Sequence, residues 1–286
     1  MDDKQPMIRG RVLIVTAVEA ERDAVLRGLG GDGRFHAVAA GAGPAAAAAG
    51  TALALAAGGR AAGIGIEAGA DATIAAGTAV AAGTAEDAGG RPAEEGPLGS
   101  AEFSGLEAAG LASSAVPDAG SDAGYALVIS AGIAGGFPGR AAVGSLVVAG
   151  EIIAADLGAE SQDGFLSVDE LGFGSSRIGV DARLAGALAA GIAAAGLPVS
   201  TGPVLTVTTA TGTAATAAEH ERRVPGAAAE AMEGFGVATA AKQFGLPALE
   251  LRAISNAVGP RDRAAWRIGE ALQALERASQ ILKEVL

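Results

Sequence analysis

Two kinds of apolar pattern alternate along this chain. Residues 11–18 (RVLIVTAV) form a nearly continuous β-branched run, the kind a strand buried on both faces shows. Residues 35–41, 126–130 (ALVIS), 145–154 (SLVVAGEIIA), 203–209 (PVLTVTT) and 247–255 (PALELRAIS) have the same character. Between them lie helical stretches: an Ala-rich segment at 45–57, then 181–195, 214–222 and 233–244. The chain closes on an amphipathic helix over about 264–285, where Trp266, Ile268, Leu272, Leu275, Ile281 and Leu282 can share one face. This alternation predicts an α/β fold, a three-layer α/β/α sandwich around a mixed, mostly parallel central sheet. Ligands of such sheets sit at the carboxyl ends of the strands, so that is where chemistry is sought.

The pattern is broken once. Residues 58–123 mix Ala, Gly, Thr, Glu and Asp with no sustained period of 3.6 or 2. They carry too few large apolar side chains to offset the entropy of ordering them. The segment is therefore expected to be a flexible, low-complexity insertion in a single domain whose core is 11–57 and 124–286. Charge agrees with this division. The chain carries a net −12, yet residues 61–122 alone hold ten acidic residues and one basic, Arg91. The remainder is close to neutral and has no basic stripe, which argues against a nucleic-acid partner.

Composition removes further classes. With no Cys there is no thiol catalysis, disulfide framework or thiolate metal site. The two His residues, His36 and His220, lie far apart and lack clustered carboxylates, so no metal is expected. No uninterrupted apolar stretch reaches the roughly 18 residues of a membrane span. The opening MDDKQPMIRG has no apolar signal segment, so a cytoplasmic location is expected.

Three features could carry chemistry. Gly41-Ala-Gly43-Pro-Ala-Ala46 fits a G-x-G-x-x-G/A dinucleotide fingerprint, but it follows the second strand, and no acidic residue ends a strand some twenty residues later. It keeps a nucleotide- or dinucleotide-binding protein as the competing class. The glycines from Ser130 to Phe137 (SAGIAGGF) suggest a turn whose backbone N–H groups can approach a ligand, or simply a tight turn between strands. Finally, polar groups stand at three apolar strand ends: Glu19 and Glu21, Glu233, and Asn256. Each alone is most simply a cap or a surface charge.

Taken together, SAGIAGGF, EAMEGFGVATAA and RAISNAVGPRDRAAWRIG resemble the signature segments of the nucleoside phosphorylase and nucleosidase superfamily. The stretch ADLGAESQDGFLSVDELGFG, with GPRDRAAW, resembles the futalosine hydrolase branch in particular. The resemblance implies an N-ribosyl hydrolase that releases hypoxanthine from futalosine in menaquinone biosynthesis, with no cofactor and with a homodimer or higher homo-oligomer as the working form. A methylthioadenosine or adenosylhomocysteine nucleosidase is the alternative. Carried onto this chain, it implies Glu21, not Glu19, as the group activating water. Met232 would lie against the ribose and Glu233 on its hydroxyls. Ser130, Ala131 and Gly132 would line the cleft, Thr211 in the 208–213 loop would hold the purine edge, and Ser255 would accompany Asn256. Related nucleosidases have Asp where Asn256 stands, and that Asp protonates purine N7. An amide can donate a hydrogen bond there but no proton, which suits a better leaving group such as hypoxanthine. Phosphorylases of the superfamily bind phosphate with Gly-rich backbone and an Arg near the first strand. This chain has Glu19 and Glu21 there, which would repel a dianion, and Arg22 is expected on a helix surface.

Overall fold

A computed structural model describes residues 7–58 and 124–286. Apart from Gly58, the insertion expected at 58–123 lies outside the described residues. The first strand, β1 (Arg11–Thr16), is buried at every position after Arg11. It leads into α1 (Glu19–Leu29), then β2 (Phe35–Ala39) and α2 (Pro44–Ala57). After residues 59–123 come β3 (Tyr125–Gly136), β4 (Leu146–Ala154), a hairpin of β5 (Gly158–Ser161) and β6 (Gly164–Ser167), and the short β7 (Arg177–Gly179). The rest is α3 (Ala182–Ala194), β8 (Val199–Thr206), α4 (Ala214–Arg223), β9 (Ala229–Ala231), α5 (Gly234–Gln243), β10 (Ala248–Ala257) and α6 (Ile268–Val285).

Eight of these strands make one mixed sheet. β1 pairs in parallel with β2 and β3, β3 with β10, and β8 with β4 and β9. β10–β4, β3–β9 and β4–β7 are antiparallel. Because β10 pairs with both β3 and β4, the strands β3, β9, β8, β4 and β10 close into a ring, with β1 and β2 extending from it. The predicted α/β sandwich with a mostly parallel sheet is present, and this closure is an addition to it. Two apolar clusters cover the two faces. One joins α1, α3 and α6 to the sheet through residues such as Val25, Leu188, Leu275 and Leu282. The other joins α2 and α5 through Leu55, Val237 and Ala241. Among the described residues no helix is long and apolar enough to cross a membrane.

Three expectations need correction. SAGIAGG is not a turn: β3 runs through it to Gly136. Its glycines answer to close approach instead. A Cβ on Gly136 would lie 2.2 Å from the Ala141 carbonyl oxygen, and one on Gly135 would lie 2.9 Å from Val258 Cγ2. The last helix begins at Ile268 rather than about 264, after a 3-10 turn at Arg263–Ala265. Trp266 and Ile268 therefore leave the apolar face, which Ala271, Ala274, Leu275, Ala278, Ile281 and Leu282 form. The strands β5, β6 and β7 were not anticipated; each is short and none is continuously apolar.

Candidate active site

Several strand ends meet at one cleft of about 380 Å³, within the size range of small-molecule sites. Glu21, Thr211, Met232, Glu233, Ser255 and Asn256 all line it, so residues from four separate parts of the chain converge as the sequence suggested. Ser130, Ala131 and Gly132 do not line it. The wall from β3 is made by Ile133, Ala134 and Gly135. Glu19 points away and pairs with Arg22 on the surface of α1.

Glu21 owes its position to the start of α1. It is the third residue of that helix, and its side chain turns back over the helix N-terminus. Oε2 accepts from the backbone N–H of Ala17 at 3.0 Å and of Val18 at 3.2 Å, and Oε1 from the N–H of Ile133 at 2.8 Å. Three backbone donors thus clamp a carboxylate that is only 4% exposed. Gly132 permits this, because a Cβ there would lie 2.6 Å from Glu21 Oε1 and 2.9 Å from Arg252 Nη1.

Glu233 caps α5 and is held from two sides. Its Oε2 accepts from Arg252 Nη1 at 3.2 Å and from the Met232 N–H at 3.3 Å. Its Oε1 accepts from the Gly43 N–H at 3.4 Å. The glycine loop that mimicked a dinucleotide fingerprint therefore faces this carboxylate. Gly41 and Gly43 adopt φ of 98° and 92°, a backbone that side chains disfavour.

Arg252, fully buried on β10, joins the parts. Nε donates to Glu250 Oε1 at 2.8 Å and Nη2 to Ser130 Oγ at 2.9 Å. Ser130 is thus part of the support behind the wall. Desolvation acts to lower the Arg252 pKa, but Glu250, Glu233 and Glu21 outweigh it and raise it, so the guanidinium stays charged. Burial pushes the fully enclosed Glu250 carboxyl up from its ordinary 4.5, against the pull of Arg252. Neither Arg252 nor Glu250 was singled out from the sequence. The available signal was opposite charges two residues apart, hence on one face, inside an apolar strand.

At the far end of the cleft, Thr211 fastens to Glu230, another residue not singled out. Glu230 Oε1 accepts from the Thr211 N–H at 2.8 Å, Oε2 accepts from Thr211 Oγ1 at 2.5 Å, and His220 Nδ1 lies 3.3 Å from Oε2. On β10, the Ser255 hydroxyl meets Asn256 Oδ1 at 2.8 Å and Asn256 Nδ2 donates to the Ala257 carbonyl at 3.0 Å. These contacts fix the amide's orientation, since the carbonyl can only accept. Arg261, Asp262 and Trp266 complete the rim, with the Arg261 guanidinium 5.4 Å from the centre of the Trp266 ring. Asp169 instead braces its own loop: hydrogen bonds from Ser176 and Ser175 hold its carboxyl down at about 2. Asp163 sits in the β5–β6 turn, its N–H donating to Ser161 Oγ. Among the described residues no group of three or more His, Asp or Glu side chains is arranged to hold a metal ion.

Known proteins match both the sequence and the fold. A futalosine hydrolase from Streptomyces coelicolor is 54% identical over 162 residues, 57% of this chain and 67% of that protein. One from Acidothermus cellulolyticus is 44% identical over 154 residues, covering 54% and 63%. The matched stretches thus span about two thirds of these relatives' own lengths. The futalosine hydrolase structure of Helicobacter pylori strain 26695 superposes with a TM-score of 0.64 over 97% of this chain and 98% of that one; at 14% identity it speaks for the fold alone. The sequence profile of the phosphorylase superfamily matches residues 108–286, more than half of the chain. With this match, the ring-closed mixed sheet and the glutamates gathered at its strand ends, the chain belongs to the phosphorylase superfamily.

Proposed function

We propose that this protein is an N-ribosyl hydrolase that splits futalosine into hypoxanthine and dehypoxanthine futalosine, a step of menaquinone biosynthesis. The observation that carries the proposal is the convergence of Glu21 and Glu233 on one cleft, each carboxylate fixed by three N–H donors. The Streptomyces and Acidothermus futalosine hydrolases support the choice of substrate.

The chemistry follows from charge. As the bond between the sugar's anomeric carbon and the base lengthens, positive charge grows on the ribose and the electron pair goes to the base. Glu21 takes a proton from water as that water attacks the anomeric carbon. Glu233, anionic beside Arg252, grips the ribose hydroxyls and steadies the developing cation, with Met232 against the sugar. Asn256 has committed one amide N–H to Ala257 and offers the other to N7 of the departing base. It transfers no proton, so the base leaves as an anion and is protonated by solvent, a route open to a 6-oxopurine. Phosphate is a poor nucleophile here. Glu21, Glu230, Glu233 and Asp262 line the cleft against a single lining cation, Arg261, and repel a dianion.

The test is to incubate the protein with futalosine, methylthioadenosine and inosine, with and without phosphate, and measure free base. Hypoxanthine from futalosine alone, at a rate indifferent to phosphate, is expected. Adenine from methylthioadenosine as the preferred reaction, or base release that requires phosphate, would overturn the proposal. The working form on this reading is a cytoplasmic homodimer or higher homo-oligomer, and light scattering after size exclusion checks the assembly.

A further inference from the structure

The proposed reaction gives no step to Glu230, the buried cleft carboxylate besides Glu21 and Glu233. Glu230 stands on β9, 7% exposed, and it lines the cavity together with Thr211. Its contacts are the Thr211 N–H on Oε1, and the Thr211 hydroxyl and the His220 ring on Oε2. Thr211 Oγ1 and His220 Nδ1 are themselves 3.3 Å apart, so the three groups brace one another. Among the described residues His220 is its one basic neighbour, with no Arg or Lys paired to it. A carboxylate oxygen can accept two hydrogen bonds; Oε2 has two neighbours and Oε1 has one. Glu230 therefore presents an acceptor that is rigidly mounted, nearly dry and still unsaturated.

The same cleft offers a fixed donor, the second N–H of Asn256. One donor and one anionic acceptor match only some purines. Hypoxanthine has acceptors at N7 and O6 and a donor at N1–H. Adenine carries its donor at the N6 amino group instead and has an acceptor lone pair at N1, so a carboxylate standing at N1 repels it. We propose that Glu230, held by Thr211 and His220, accepts the N1–H of a 6-oxopurine base and thereby selects it over a 6-aminopurine. This rests on the hydrolase reading above and adds the residue that sets its base specificity. A charge-assisted bond to N1–H favours one base, while an unmet lone pair facing a buried anion disfavours the other.

The experiment compares futalosine with the analogue that carries adenine on the same sugar and tail. kcat/KM for both is measured on the full chain and on Glu230→Gln. The variant is expected to lose about tenfold on the hypoxanthine substrate, mainly in KM, and to lose nothing on the adenine analogue, so the preference shifts by at least about tenfold. An equal fall on both substrates would mean that Glu230 only braces the 208–213 loop, and would overturn the proposal. A second arm needs neither turnover nor a variant: calorimetric titration of the unaltered protein with free hypoxanthine and free adenine. Markedly tighter hypoxanthine binding supports the assignment, and equal affinity refutes it. This arm also separates the two ideas. If the protein prefers hypoxanthine but hydrolyses no futalosine, the hydrolase reading fails while the base-selecting role of Glu230 stands.

Discussion

At position 132 the absence of a side chain lets both Glu21 and Arg252 approach the backbone of β3. In the proposed mechanism, catalysis depends at this scale on two carboxylates keeping charge and aim. Glu21→Gln and Glu233→Gln are each expected to lose on the order of 10²–10⁴ in kcat with unchanged circular dichroism. Glu21→Gln should also lower Tm by several degrees, because an amide N–H would then face a backbone N–H. A near-parental rate in either variant would remove that residue from the mechanism. Glu250 predicts a pH effect on stability. Its folded pKa lies above the ordinary 4.5, so on raising the pH past 4.5 the unfolded chain releases this proton before the folded protein does. Its contribution is fully present below about 4.5 and is lost as pH rises through the folded value. As pH rises from about 4.5, thermal melts should show Tm of the parent declining relative to Glu250→Gln. A constant difference between the two across that range would contradict the assignment.

Elements were legible in the sequence where burial imposes a plain period. β1, α3 and α5 fall within a residue or two of their expected ends, since each has a buried apolar face or a fully apolar run. Glycine misled once, for a physical reason. In SAGIAGG, as in the Gly41–Gly43 loop whose sequence context argues against a dinucleotide site, small residues signal close approach as readily as they signal a turn or a phosphate. Only the neighbouring elements, distant in sequence, decide which. Gly236 gives a sharp instance: a Cβ there would lie 2.0 Å from the Pro44 carbonyl oxygen, where α5 crosses the start of α2. Gly236→Ala should therefore separate these helices, costing about 1–3 kcal/mol, and should weaken catalysis by moving the Gly43 N–H off Glu233. Denaturant melts together with kcat check this; a silent substitution would show that the contact relaxes freely.

For the molecule as a whole, the sequence revealed which carboxylates meet, but not what links them. Glu21 and Glu233 were legible through resemblance. Arg252, Glu250 and Glu230 were not, because a charged residue inside an apolar strand shows its partners only once the sheet has closed. Nor was His220, whose helix meets Glu230 only in the fold. The described residues supply the eight-stranded sheet, the apolar clusters on its two faces and the cleft residues named above. Moreover, Arg11 hydrogen-bonds to the carbonyls of both Gly58 and Gly124, so the two edges of the excursion lie near one residue. A chain lacking residues 62–121 is thus expected to fold and to keep kcat/KM within a few fold, as melts and base-release assays would show; failure to fold would assign the tract a structural role. At the centre of the proposed mechanism, Glu21 delivers water, not phosphate, to the anomeric carbon of a ribosyl purine. Mass spectrometry of a single turnover of futalosine in oxygen-18 water with phosphate present tests this most directly. The label is expected on the anomeric carbon of the freed sugar, with no sugar phosphate formed; an unlabelled sugar or a sugar 1-phosphate would contradict it.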